Sequence, residues 1–210
     1  MIDFFNYYSH KGHVFGECIS KANADLMYIN IPKNASSWTK PNLLKDWAWE
    51  KYNYHTHNLY HKHAMIVLRE PVERWISGIA EYMYLYHRTI DTVHLSKPFF
   101  DMVFDRIAFD DHTESQVLFL QGIDLTNCTF FNCDKSYKIC FSDFLNKHGM
   151  TNSYYRYEDQ HVTKNSAERL QFQEIFKRQI ETNSKYKQQV EGYFEKDFKL
   201  INSIKFYDPR

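Results

Sequence analysis

Three groups of residues in this chain carry side chains suited to handling an anionic ligand or moving a proton. The first is Lys33-Asn34-Ala35-Ser36-Ser37-Trp38. A lysine ammonium is a compact, movable point charge that suits a phosphate or sulfate oxygen. The second is Arg69-Glu70-Pro71-Val72-Glu73-Arg74-Trp75-Ile76-Ser77. A guanidinium takes two oxygens of an oxyanion at once, and a hydroxyl one or two turns further along a helix takes a third. The third is the histidine-rich run from Tyr52 to His63, with His55, His57, His61 and His63. Imidazole titrates near neutral pH, so it serves as a general base, and it also binds transition metals.

The first two groups lie where a strand should hand over to a helix. Met27-Tyr28-Ile29-Asn30-Ile31 is short and β-branched, as a buried strand is. Pro32 has no N–H for the ladder, and a helical pattern begins near Ser36. That order gathers Lys33, the first-turn amides and the positive end of the helix dipole at one point, which makes a phosphate cradle. Ala64 to Leu68 predicts a second strand. Arg69 ends it, Pro71 takes a first helical position, and Val72, Trp75, Ile76 and Ile79 share one face. The loop is not a Walker A sequence, because no glycine lies between Gly16 and Gly78 where that motif needs two.

Taken together, the two strings resemble the nucleotide motifs of sulfotransferases that use 3′-phosphoadenosine 5′-phosphosulfate (PAPS). That family writes its 5′-phosphosulfate loop as P-K-x-x-[ST]-[ST]-[ST]-W or a close variant, and Pro32, Lys33, Ser36, Ser37 and Trp38 match. Its 3′-phosphate motif reads R-[DE]-P-x-x-R-x-x-S, matched from Arg69 to Ser77. The carbohydrate sulfotransferases are the nearest in style. The resemblance is dispersed over residues 27–202, but only these two motifs are specific. Asp111-His112-Thr113-Glu114-Ser115-Gln116 resembles a segment of carbohydrate sulfotransferases in which a histidine or aromatic precedes a proline-glutamine pair, with serine here in place of proline. Tyr157-Glu158-Asp159 and Tyr193 to Phe198 resemble the family's Y-E-D strand end and its Y-x-x-D-[FY] tail.

The resemblance implies a site. Lys33 and the amides of Asn34, Ala35, Ser36, Ser37 and Trp38 would hold the 5′-phosphosulfate, with Trp38 near the adenine. Arg69 and Ser77 would hold the 3′-phosphate. A histidine between the motifs would take the acceptor's proton, which points by position to His55 or His57, with His61 behind them and His112 in reserve. The histidines also admit two plainer roles, a metal site or surface and core residues. His-x-His without paired cysteines or carboxylates is a weak metal signal, and Asp111 or Thr113 before Gln116 is equally a helix cap. No metal is required if lysine and backbone dipoles supply the positive field.

Composition sets the outer limits. The chain has 210 residues, with 26 Lys+Arg against 26 Asp+Glu, so no global basic field marks it as a nucleic-acid binder. No apolar run approaches the roughly 20 residues of a membrane span. Residues 1–13 lack the basic start and apolar core of a signal peptide, which favours a cytoplasmic protein over a Golgi-anchored one. Four cysteines are too few and irregular for a disulfide scaffold, and a Cys128–Cys133 bridge would need an oxidising compartment.

A single α/β domain is expected. Residues 1–26 should form a loose N-terminal arm, and 165–202 two C-terminal helices packing on the core. Further helices are expected over 39–51, from Pro71 to about 86, over 97–108 and 141–147, with strands at 128–131 and 153–157. The resemblance implies a three-layer fold like P-loop nucleotide kinases, with a small central parallel sheet flanked by helices. The expected activity is transfer of a sulfuryl group from PAPS to a hydroxyl of a carbohydrate or small molecule, leaving 3′-phosphoadenosine 5′-phosphate (PAP). The alternatives are a P-loop-like kinase using ATP, or a nucleotide-binding module without catalysis.

Overall fold

A computed structural model describes residues 15–45, 48–87, 95–150 and 166–210. Its centre is a mixed five-stranded sheet in the order β3-β1-β2-β4-β5. The strands are β1 (Glu17–Lys21), β2 (Leu26–Ile29), β3 (Trp49–Asn53), β4 (His63–Leu68) and β5 (Cys128–Asn132). β2, β4 and β5 run parallel, with Tyr28 opposite Met65 and Met65 opposite Thr129. β1 is antiparallel to both β2 and β3.

Seven helices are described: α1 (Ser36–Leu44), α2 (Pro71–His87), α3 (Lys97–Arg106), α4 (Tyr137–Lys147), α5 (Ala167–Thr182), α6 (Ser184–Tyr193) and α7 (Glu195–Ser203). The central strands are apolar on both faces because both are covered. Tyr28, Met65, Val67 and Phe131 pack under α1 and α4 with Leu43, Phe141 and Phe144. Met27, Ile29, Ile66, Leu68 and Phe130 meet Phe119, Leu200, Ile201 and Ile204 on the other side. A third cluster around Trp75 and Phe176 joins α2, α3, α5 and α6.

Five sequence expectations are corrected. The two C-terminal helices expected over 165–202 are three, α5, α6 and α7. The sheet is mixed, not all parallel. Residues 1–26 are not simply an arm, since they contain β1 and the first residue of β2. The helix expected over 39–51 is short: α1 ends at Leu44, and Trp49–Asn53 is the edge strand β3. Pro41 cannot donate within α1, and the open edge of β1 offers Trp49–Asn53 a full ladder of partners. The segment after Ser115 is a 3₁₀ turn, Gln116–Leu120, capped from far away rather than by Asp111 or Thr113. Asp197 of α7 accepts from the amides of Gln116 and Val117 and from the Ser115 hydroxyl. The strand expected at 153–157, with Tyr157-Glu158-Asp159, lies outside the described residues, as does Trp47.

The four cysteines are free thiols. Cys128 opens β5 and Cys133 follows its last residue, about 16 Å of extended chain apart, which is beyond disulfide reach. No helix among the described residues is long and apolar enough to cross a membrane.

Candidate functional site

A cleft of about 460 Å³ opens at the carboxyl ends of β2 and β4, lined by Lys33, Ala35, Ser36, Ser37, Arg69 and Ser77 with Lys40, Pro41, His112, Cys133 and Arg169. In open α/β sheets this end of the strands is the usual place for a ligand. The two motif loops, separate in sequence, face one space.

The backbone of the first loop is unusual. Lys33 and Ala35 have φ of 67° and 57°, a left-handed conformation that costs a non-glycine residue about 1–2 kcal/mol. Such strain persists where surrounding contacts over-determine it, and it clusters at ligand sites. Those contacts are visible. The Asn34 side chain is fully buried and donates to the Val67 carbonyl at 2.8 Å and to Gln116 Oε1 at 2.6 Å. Gln116 in turn accepts from the Arg69 amide at 3.0 Å and donates to the Arg69 carbonyl at 2.9 Å. One glutamine side chain therefore holds both loops. The first turn of α1 leaves the amides of Ser36 and Ser37 without an intrahelical acceptor, as at any helix start, and both residues line the cleft.

Arg74 is the second tie. It is buried and donates to the carbonyls of Pro32 at 3.0 Å, Asp111 at 3.3 Å and Glu114. It joins α2 to the Lys33 loop and to the loop carrying His112. Gly78 lets that loop come close: a Cβ there would lie 2.1 Å from the His112 carbonyl oxygen.

His112 is buried in the cleft wall. Its Nδ1 lies 2.8 Å from Asp110 Oδ2 and 3.5 Å from Asp111 Oδ1. A carboxylate only accepts, so the proton sits on Nδ1, and Nε2 is the basic nitrogen. Asp110 is itself fixed, since its Oδ1 accepts from the His112 amide at 3.0 Å and from the Thr113 hydroxyl at 3.2 Å. Ligand atoms of Asp110, Asp111 and His112 fall within 4.8 Å of one another, as a metal site would require. Arg74 already supplies positive charge to both carboxylates, however, and His112 Nδ1 is held by Asp110. The donor set is better read as a hydrogen-bonded loop than as a cation cage.

Lys33 Nζ lies 2.7 Å from Glu81 Oε2, and Arg169 Nη1 lies 3.4 Å from the same oxygen. Burial pulls the Lys33 ammonium below its ordinary value, with Glu81 acting against it. Burial pushes the Glu81 carboxyl up, but Lys33, His112 and Arg169 together outweigh it and leave it below the usual carboxylate range.

Several residues marked in the sequence are placed elsewhere. His55 and His57 are exposed in the turn after β3 and do not line the cleft. His55 Nδ1 meets the Tyr60 hydroxyl at 2.6 Å, and His57 Nδ1 meets the Asn53 carbonyl at 2.9 Å. Since β3 is two strands from β2, this turn starts about 10 Å to the side of the Lys33 loop. Trp38 packs edge-on to Tyr137 and Phe141 instead of facing the cleft, and Asn34 is inside its wall. Lys40, Glu81 and Arg169 gave no motif signal; Glu81 and Lys40 follow Ser77 and Ser36 by four residues on their helices, which is the one sequence feature that could have pointed to them.

No family model, curated protein or solved structure gives a significant match to this chain.

Proposed function

We propose that this protein is a sulfotransferase that uses PAPS as donor. The observation that carries the proposal is the shared cleft: Lys33, Ser36 and Ser37 on one loop, Arg69 and Ser77 on the other. Two anion grips at one opening suit a nucleotide bearing a group at each end. The parallel strands β2, β4 and β5, with α1 and α2 starting at their carboxyl ends, agree with a P-loop-like arrangement.

In this scheme Lys33 and the first-turn amides of α1 hold the 5′-phosphosulfate, and Arg69 with Ser77 holds the 3′-phosphate. The sulfur–oxygen bond to the 5′-phosphate breaks as a new one forms to the acceptor hydroxyl. Lys33 neutralises charge growing on the leaving oxygen. His112 Nε2 takes the acceptor's proton, with Asp110 fixing the tautomer. His112 replaces His55 and His57 in this role because it faces the same cleft as Lys33. The products are PAP and a sulfate ester. A hydroxylated carbohydrate or small molecule is the acceptor class.

Transfer from labelled PAPS to a panel of sugars and phenols, with EDTA present, tests this directly. Activity should persist without magnesium, which a kinase using ATP would need. His112→Asn should lower the rate by about 10²–10⁴-fold, while His55→Ala and His57→Ala stay near wild type. Full activity in His112→Asn, with loss in either of the others, would return the base to the β3 turn.

A further inference from the structure

Neither motif marks Glu81, yet its carboxylate is the charge nearest to Lys33. It lies on α2 one turn beyond Ser77, and its side chain is 13% exposed. One of its oxygens receives both Lys33 from the loop after β2 and Arg169 from α5. An ammonium has three N–H donors. Glu81 takes one and so fixes the head group, and two are left for ligand oxygens.

From this geometry we infer that Glu81 is a positioning residue: it keeps the Lys33 ammonium charged and oriented inside the cleft without touching the ligand. The consequence for donor binding rests on Lys33 being the cation that meets the phosphosulfate; the coupling between the two side chains does not. The charged groups acting on Lys33 are Glu81 from α2, Arg169 from α5 and Asp110 from the loop before His112. His112 acts on Glu81 in turn.

The signs differ, and that makes the inference testable. Burial and Arg169 both favour neutral Lys33, whereas Glu81 favours the charged form. Below its midpoint Lys33 is charged and can grip an anion; above it the grip is lost. Removing Glu81 leaves burial and Arg169 pulling down against Asp110 alone, the weakest of these influences, so the midpoint falls. Removing Arg169 takes one of them away, so the midpoint rises. A merely structural Glu81 would not produce opposite shifts.

The full chain, with ¹³C-labelled lysine incorporated during expression, should be titrated by NMR at the lysine Cε, and the Lys33 signal identified from its absence in Lys33→Arg. In Glu81→Gln the Lys33 midpoint should fall by about one pH unit or more. In Arg169→Gln it should rise, and in Glu81→Asp, which keeps the charge, it should stay close to wild type. An unchanged midpoint in Glu81→Gln overturns the inference, as does a shift of the same sign in Glu81→Gln and Arg169→Gln. If Glu81→Gln fails to fold, the coupling is read from the other side: in Lys33→Ala the midpoint of the Glu81 carboxyl should rise, and an unchanged Glu81 midpoint overturns the inference.

PAP binding followed across the alkaline range separates the two levels. Glu81→Gln should lose affinity at a lower pH than wild type, and adding Lys33→Arg, whose charge does not titrate there, should restore it. Midpoints that shift as described in a protein that never binds PAP would remove the sulfotransferase assignment and leave the role of Glu81 intact. Tight PAP binding without the shifts would do the reverse.

Discussion

Lys33→Ala is expected to leave a folded protein whose sulfuryl transfer is slower by about 10²–10³-fold, the usual cost of deleting one preorganised group that meets developing charge. The fold should survive because the site tolerates the loss. Alanine at a φ of 67° bears the same left-handed strain that lysine does. Deleting one member of a buried ion pair typically costs 3–5 kcal/mol because a charge is stranded. Here Glu81 keeps Arg169 at 3.4 Å, and the desolvation of Lys33 itself is relieved. A loss of roughly 1–2 kcal/mol is therefore expected, below the usual cost of breaking a buried pair. Single-turnover rates and urea denaturation on the same preparation separate the two effects. A wild-type rate would take Lys33 out of the chemistry.

The largest effect on stability should come from Arg74→Met. The guanidinium is 1% exposed. Burial pulls its pKa down to about 10, with Asp197, Asp110, Asp111 and Glu114 acting the other way, so it is fully charged at neutral pH. Methionine fills most of the volume but leaves three backbone carbonyls and the surrounding carboxylates without their cation. Breaking such a buried arrangement costs about 3–5 kcal/mol, measurable as a lower urea midpoint at unchanged slope. Arg74→Lys should fall between, since it keeps the charge but cannot serve three separated carbonyls. Arg74→Met should also weaken nucleotide binding, because Arg74 anchors the Pro32 carbonyl beside Lys33. A loss below about 1 kcal/mol, the scale of an exposed ion pair, would contradict this account of how the loops are held.

What the sequence reveals about the site is the part written locally. Lys33, Ser36 and Ser37 follow β2 directly, and Arg69 and Ser77 follow β4, so strand-end patterns place them without knowledge of the fold. The pairing of β2 with β4 then brings the two loops to one cleft. What escapes the sequence depends on long-range contacts. Gln116 joins Asn34 and Arg69 from 82 and 47 residues away, and Arg169 reaches Glu81 across 88. Asp197 caps the turn at Gln116 from α7, a partner that the local pattern of Asp111 and Thr113 conceals.

The placement of the histidines escapes the sequence for a related reason. His55 and His57 lie between the motifs in sequence, but β3 carries them to the sheet edge. His112 reaches the cleft because Gly78 admits its loop against α2. Trp49-Glu50-Lys51-Tyr52 sets two charges between two aromatics, a spacing of three with none of the alternation that marks a strand. The apolar Leu43, Leu44, Trp47 and Ala48 drew a helix across it instead.

In the proposed complex two anion grips hold the two ends of one adenosine. Calorimetric titration with PAP and with AMP, both without magnesium, tests it most directly. PAP should bind at least tenfold more tightly than AMP and, at about a hundred times its Kd, stabilise the fold by about 2.7 kcal/mol. Arg69→Ala combined with Ser77→Ala should erase the difference between the nucleotides. Equal affinity for PAP and AMP in the wild-type protein, or no binding of either, would contradict it.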